Sequence, residues 1–441
     1  LENIMGFGTG LSGLNAASKN LDVIGHNIAN TNTTGMKAGR AEFSEMYASA
    51  LGAAGGGNGG IGVAIATVAT QFSQGNLKVT GNNLDMAVNG EGFFKVNLTD
   101  GTTAYTRNGE FKLDKEGYII TNNGAKVQGY MPASIGGIIP TGVTTNLQLP
   151  TSQAIEPKQT TGATATDPAI SLTANLPTDA TIGVATLPAT GDLSDAQKKY
   201  ATSLNIYDAK GSAIPVRISF VNTAAGAWSA IASVQNETTG AWSHTAAGSV
   251  TFAADGKPSA FTPPAGLGIP SGWPAVDAVR TGVPSAATTA ALAIGVGDAT
   301  SGWTLTQYDM EFAVNELSQT GYAAGELTGI SVNEEGIIKA SYSNGENMNA
   351  GQLSLTRFRN IQGLSTVNGG YYLESANSGT PVEGKPMSGR FGQIRGGTLE
   401  ESNVDMTAEL VNMIVAQRSY QANAQTIKTQ DQVLSTLVNL R

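Results

Sequence analysis

The side chains that could do chemistry in this sequence are few and scattered. His26 and His244 are the two histidines, far apart and without metal-ligand spacing. There are no cysteines, which removes disulfides, thiolate zinc sites and a thiol nucleophile. Acid pairs stand at Glu334-Glu335 and Glu400-Glu401, flanking a turn and a helix start, where an ordinary solvated role suffices. Gly57-x-Gly59-x-x-Gly62 has the letters of a dinucleotide fingerprint. No strand pattern precedes it and no helix pattern follows, so 52–62 reads as a low-complexity hinge or a loop that orders on assembly. H-E-x-x-H, Walker A, G-x-S-x-G and EF-hand patterns do not occur. The triplet Asn236-Glu237-Thr238 is expected by chance at this composition. The residues therefore predict a protein that is not an enzyme, with no catalytic residues, no cofactor and no metal.

The totals point the same way. The chain has 441 residues, enough for about three domains. Its 56 glycines and 6% aromatic content predict thin, β-rich cores, and only 13% of residues are charged. A net charge of −9 argues against nucleic acid or an anionic membrane as partner. No run of 18 apolar residues is present, so no membrane span is expected. The opening LENIMGFGTGLSGLNAAS has neither a basic nor a continuous apolar region of the secretory type, so export without a cleaved signal is expected if the chain works outside the cell.

The elements that must organise the chain lie at its ends. Residues Thr398 to Arg441 contain no Pro or Gly and open with Thr398-x-x-Glu401, a capping-box pattern that predicts a helix start. Steps of four and three from Met406 give Met406, Leu410, Met413, Gln417, Tyr420, Ala424, Ile427, Asp431, Leu434 and Val438, the spacing of a coiled-coil seam. A second apolar set, including Val404, Val411, Ile414, Val415, Val433, Leu437 and Leu440, lies off that seam and needs further neighbours. Near the other end, Leu11, Leu14, Leu21, Ile24 and Ile28 share one helix face, the natural mate of the seam. The polar run Asn27 to Lys37 ends that helix.

Between the ends the period changes to two. Leu84, Met86 and Val88 alternate, as do Phe94, Val96 and Leu98, and Phe111 with Leu113. Asn-Gly pairs at Asn89-Gly90, Asn108-Gly109, Asn123-Gly124 and Asn344-Gly345 predict hairpins. Lys78, Arg107 and Glu110 read as solvated strand-face charges. All 16 prolines fall between Pro132 and Pro386, 14 of them in 132–284, which marks an inserted central domain. Leu204 with Ile206, and Val216, Ile218 and Phe220, are strand patterns there; Trp228, Trp242, Trp273 and Trp303 are the expected core anchors. The fold class is multidomain α+β: terminal helices forming a coiled-coil core domain, with two successive mainly-β domains inserted between them. The expected parts are 1–30 with 398–441 as helical core, 31–70 with 365–397 as connector, 71–154 with 301–364 as inner β domain, and 155–300 as outer β domain.

The stretch SGLNAASKNLDVIGHNIANTNTTGMK resembles the N-terminal signature of the axial proteins of the bacterial flagellum, the rod and hook subunits. Asn27, Asn30, Thr33, Gly35 and Lys37 carry that motif; Ser402, Asn403, Asp405, Gln417 and Arg418 carry the matching C-terminal one. His26 stands where the family has Asn and Met36 where it has an aromatic, and Leu1 to Ile4 precede the usual start. GNNLDMAVNGEGFFKV and the returning half, 325–364, resemble the β domain that rod and hook proteins share; ATSLNIYDAKGSAIPVRISF resembles the outer domain that the shorter rod proteins lack.

The resemblance implies a structural subunit of the flagellar hook in the basal-body and extracellular part of the organelle. Many copies would polymerise into a curved, flexible tube that transmits torque from rod to filament as a universal joint. It implies the chain itself as main partner, with rod proteins, hook cap, hook–filament junction proteins and the flagellar type III export apparatus. It also implies an assembly interface at Leu11, Leu14, Leu21, Ile24, Ile28, Met406, Leu410, Met413, Tyr420, Ile427, Leu434 and Val438. Gln417, Gln421 and Gln425, on one helix stripe, are expected near an export channel. A distal rod protein is the alternative within the family, and an extracellular β-rich adhesin the alternative outside it.

Overall fold

The computed structural model describes residues 2–47, 60–132, 139, 142–150, 154–160, 169–188, 191–208, 210–235, 242–262, 268–269, 292–295, 297–298 and 302–439. It is mostly β, with one long helix near each end, and divides into two compact units: 1–152 with 328–341 and 347–441, and 153–327 with 342–346.

The first helix, Glu2–Ala29, ends where its sequence turns to Asn and Thr. Asn30 Nδ2 donates to His26 O (2.9 Å) and Thr31 Oγ1 to Ile28 O (2.9 Å), so side chains take the carbonyls that another turn would have used. The second long helix, Met406–Asn439, begins later than the capping box at Thr398 and Glu401 predicts. Thr398–Glu400 is instead a strand, paired antiparallel with Leu77–Val79. The cap is Asp405, whose Oδ1 accepts from Thr407 N (2.8 Å) and Ala408 N (3.2 Å). The residues between are held by partners distant in the chain, which local pattern cannot weigh.

The two helices pack against one another, and the contact is antiparallel. A Cβ on Gly10 would lie 3.1 Å from Ile427 Cγ1, and one on Gly13 only 2.9 Å from Asn423 Oδ1. Missing side chains at these two positions let the backbones approach. The covered edge of the second helix runs through the buried Ala416 and the half-buried Met413, Asn423, Ala424, Ile427 and Gln430. Met413, Ala424 and Ile427 of the predicted seam lie on this edge, and the rest of the seam is corrected. Met406 and Leu410, expected against the first helix, are 43% and 46% exposed, and Leu11 is 45% exposed. Ile24 is buried, and Leu14, Leu21 and Ile28 are half-buried. Glycines and alanines, invisible to a count of large apolar residues, set the contact. The side chains of Leu434 and Val438 lie outside the described residues. A hairpin of Gly39–Tyr47 with Gly60–Thr70 follows the first helix, and Ser12 Oγ accepts from its Val63 N (3.2 Å).

Among the described residues the β part of the first unit is a sheet of 13 strands beside three separate two-stranded antiparallel pairs. Its core holds Met86, Phe94, Val96, Phe111, Ile119, Val127, Leu147, Leu353 and Leu355. Only two of the four Asn-Gly pairs close hairpins. Asn123-Gly124 joins 119–121 to 126–130, and Asn344-Gly345 joins Ile337–Tyr342 to Asn347–Leu353. The strand before Asn89-Gly90 pairs instead with Gln393–Gly396, and the strand after Asn108-Gly109 with 119–121. The segment 365–397, expected as a connector, thus supplies strands: Tyr371–Leu373 pairs with 105–106 and Val382–Gly384 with 355–357.

The second unit is a β sandwich. A meander of Tyr200–Tyr207, Ala213–Ala224, Ala227–Gln235, Trp242–Phe252 and Pro258–Thr262 packs through Ile206, Val216, Ile218, Phe220, Trp228 and Val250 onto Leu172, Ala174 and Leu305. Residues 301–327, expected with the inner domain, belong here: Ala313–Gln319 runs antiparallel to Ile170–Asn175. Of the tryptophans, Trp228 is the core anchor; Trp242 is half-buried under Arg217, 4.2 Å from its ring. Trp273 and the side chain of Trp303 lie outside the described residues.

Two outcomes follow from this packing. Gly13→Leu forces the helices apart at Asn423; hydrogen exchange should quicken in 10–29 and 413–430 while 86–130 keeps its protection. In the first unit Phe72, Phe93, Tyr105, Phe358 and Tyr372 form an aromatic cluster. Burial raises the Tyr372 phenol from 10.0 to about 12 and raises Tyr105 as well. A raised folded value means stability is intact below pH 10.0 and falls as pH climbs towards about 12. Urea midpoints should drop across that window, and Tyr372→Phe should flatten the drop.

Candidate functional site

The N-terminal and C-terminal motifs meet at one buried carboxylate. Glu400 is fully buried, and Lys37 Nζ lies 2.5 Å from its Oε1 although 363 residues separate them. Arg107 Nη1 stands 3.4 Å from Oε2, and Gly75 N donates to Oε1 at 3.0 Å. Lys37 also donates to Ser73 O (2.8 Å), and Arg107 Nη2 to Gly90 O (2.9 Å), with the guanidinium 5.1 Å from the Phe93 ring centre. Burial pulls both cations below their ordinary pKa ranges, and Glu400 opposes that pull. Two cations and one anion share a dry site, so the carboxylate is what makes either cation tolerable.

The motif residues around this clasp hold the backbone. Gly35, at φ +70°, donates to Glu400 O (2.7 Å), and a Cβ there would sit 2.6 Å from Asn108 N. Asn27 is buried and makes two bonds to one residue: its Nδ2 donates to Gly39 O (2.8 Å) and its Oδ1 accepts from Gly39 N (2.9 Å). The helix end is thereby pinned to the start of the hairpin. Asn403 does the same for the other end. Its Oδ1 accepts from Ala38 N (2.8 Å) and its Nδ2 donates to Gln71 O (2.7 Å) and Ser73 O (3.1 Å). Thr33 Oγ1 donates to Asn30 Oδ1 (3.3 Å), Ser402 Oγ accepts from Val404 N (3.3 Å), and Asp405 caps the helix.

Asn27, Gly35, Lys37 and Asn403 thus converge, while Gln417 and Arg418 lie exposed along the helix, away from the clasp. His26 is exposed and Met36 half-buried. Two residues of the clasp were misread from sequence. Arg107, expected on a solvated face, is buried; Glu400, expected in a helix start, is in a strand. Lys78 is exposed as expected, and Glu110 accepts from Thr34 Oγ1 (2.6 Å). The one local signal for Glu400 is its place in Thr398-Leu399-Glu400, a two-residue alternation that a strand reading would have used.

Above the clasp the second helix carries a surface of another kind. Met406, Leu410, Val411, Ile414, Val415, Tyr420 and Val433 are all exposed. Among the described residues no helix is long and apolar enough to cross a membrane, and no cluster of His, Cys, Asp or Glu could hold a metal.

Glu400→Gln leaves Lys37 and Arg107 facing each other without an anion. It should cost about 3–5 kcal/mol of stability. Lys37→Met combined with Glu400→Leu should cost less than the sum of the single changes, as measured by a double-mutant cycle in urea.

Comparison with known proteins matches the same regions. Residues 7–37 match the model "Flagella basal body rod protein", 87–173 "Flagellar hook protein FlgE/F/G D1 domain", 172–322 "Flagellar basal body protein FlaE D2 domain", and 395–440 "Flagellar basal body rod FlgEFG protein C-terminal". The flagellar hook protein of Salmonella typhimurium is 34% identical over 99% of this chain and 100% of its own length. That of Escherichia coli is also 34% identical, with the same coverage. A crystal structure of a Helicobacter pylori flagellar hook protein is similar at 15% identity and a TM-score of 0.48, over 73% of this chain and all of that one. With end-to-end similarity at this level, and both terminal motifs and both β domains matched, the chain belongs to the flagellar hook protein family.

Proposed function

We propose that this chain is the structural subunit of a flagellar hook and that it polymerises through its terminal helices into a tube joining rod to filament. The observation that carries the reading is the apolar surface on Met406–Asn439. The helix already packs on its partner within the chain, yet Met406, Leu410, Val411, Ile414, Val415 and Val433 stay in water. Contiguous exposed apolar surface on a folded protein marks an interaction site. Each such side chain contributes about 1.5–3 kcal/mol on full burial. Together they are of the same order as the roughly 4–15 kcal/mol that association costs.

On this reading the antiparallel helix pair is the coiled-coil unit of the tube wall. Leu11, Met406, Leu410 and Tyr420 face neighbouring subunits, with Val411, Ile414, Val415 and Val433 beside them. Ile24, buried within the chain, supports the pair from inside. Gln417, Gln421 and Gln425 are exposed and polar, which suits a surface facing an export channel. The outer unit closes its own core around Trp228. Its surface carries few charges, so outer contacts can slide as the tube bends and transmits torque. The presence of that unit favours the hook over the distal rod. Rod, cap and hook–filament junction proteins, and the flagellar type III export apparatus, are the further partners on this reading.

Ile414→Asp with Val415→Asp tests the interface without cutting the chain. The purified variant should keep native circular dichroism, form no tubes by negative-stain electron microscopy, and leave cells non-motile. Tubes of normal length from this variant, or from a chain lacking 406–441, would overturn the assembly mechanism.

A further inference from the structure

The sequence repeats one chemically fragile dipeptide, and the fold treats its copies differently. Asn-Gly occurs at 89–90, 108–109, 123–124, 344–345 and 368–369 among the described residues. In each, the glycine nitrogen can attack the asparagine Cγ. Without a Cβ, glycine offers little steric resistance to the ring this forms. Two things protect such a pair. A hydrogen bond on the asparagine amide holds Cγ away, and a hydrogen bond on the glycine N–H keeps the nitrogen from becoming a nucleophile.

Four of the pairs carry at least one of these protections. Asn89 Oδ1 accepts from Gln74 Nε2 (3.4 Å), and Gly90 N donates to Gln74 Oε1 (3.1 Å). Asn108 Oδ1 accepts from Glu110 N (2.9 Å). Asn344 Nδ2 donates to Ala323 O (2.7 Å), and Gly345 N donates to Tyr342 O (3.0 Å). Gly124 N donates to Thr121 O (2.9 Å). Asn368 and Gly369 differ. Both are exposed in the turn between Ser365–Val367 and Tyr371–Leu373, with Gly369 at φ +88°. Among the described residues neither the Asn368 side chain nor the Gly369 N–H has a hydrogen-bond partner.

We propose that Asn368 is a site of spontaneous modification, the described Asn-Gly pair that the fold leaves open to deamidation. The Gly369 nitrogen forms a bond to Asn368 Cγ, the Cγ–Nδ2 bond breaks, and ammonia leaves, giving a five-membered succinimide. Water then opens that ring to aspartate or isoaspartate. No oxidant, metal or enzyme enters the balance. The product places a new negative charge beside Asn123, whose amide lies against Gly369. Isoaspartate also adds a backbone atom to a turn whose next residues, Tyr371 and Tyr372, are buried.

The test is peptide mapping of the native full chain during incubation at mildly alkaline pH, with electron-transfer fragmentation to separate isoaspartate from aspartate. The same incubation in denaturant is the control. Asn368 should convert at least about fivefold faster than Asn89, Asn108 and Asn344 in the native chain, and the rates should converge in denaturant. Asn368→Gln should abolish the signal at that position and leave the other four unchanged. Equal rates at Asn344 and Asn368 in the native chain would overturn the proposal. So would an intact Asn368 while the denatured control converts.

Discussion

The Glu400 carboxylate is the constraint to which the rest of the structure answers. It sits buried between Lys37 and Arg107 and also accepts from Gly75 N. Such a pair is a poor source of net stability, because desolvating three charges costs about what their attraction returns. What it supplies is specificity. A strand from the end of the chain can bury that carboxylate only where both cations wait. Its register against Leu77–Val79 is therefore fixed, and with it the point from which the second helix departs.

From that anchor the two ends acquire their direction. Asn27 ties the end of the first helix to Gly39, and Asn403 ties the approach of the second to Ala38, one residue away. The helices then run antiparallel along a contact narrow enough to need Gly10 and Gly13. A narrow contact leaves most of the second helix uncovered. The exposed apolar side chains at Met406, Leu410, Val411, Ile414 and Val415 are the consequence.

The β units follow an opposite economy. Trp228 in the second unit, and Phe94, Phe111 and Leu355 in the first, are buried within their own units. Bodies with closed cores can carry load without exchanging partners.

Much of this was legible in the sequence. Helical period at both ends, two-residue period between them, proline crowding in the centre and the two Asn-rich motifs gave the order of parts and the family, because each is written within a few residues. What pattern could not decide was set by residues far apart. Thr398–Glu400 became a strand and not a helix start because Lys37 and Arg107 lie where it must go. The helix contact keeps the expected Met413 and Ile427, leaves the expected Met406 and Leu410 exposed, and comes closest where Gly10 and Gly13 face Ile427 and Asn423. Residues 371–373 joined the sheet of the first unit, and 313–319 that of the second, by pairing with strands more than a hundred residues earlier. Even identical Asn-Gly pairs diverged into hairpins, crossings and one unguarded turn. Local sequence fixes which conformations a segment can adopt; which one it takes depends on the charge, carbonyl or gap that the folded chain brings to it.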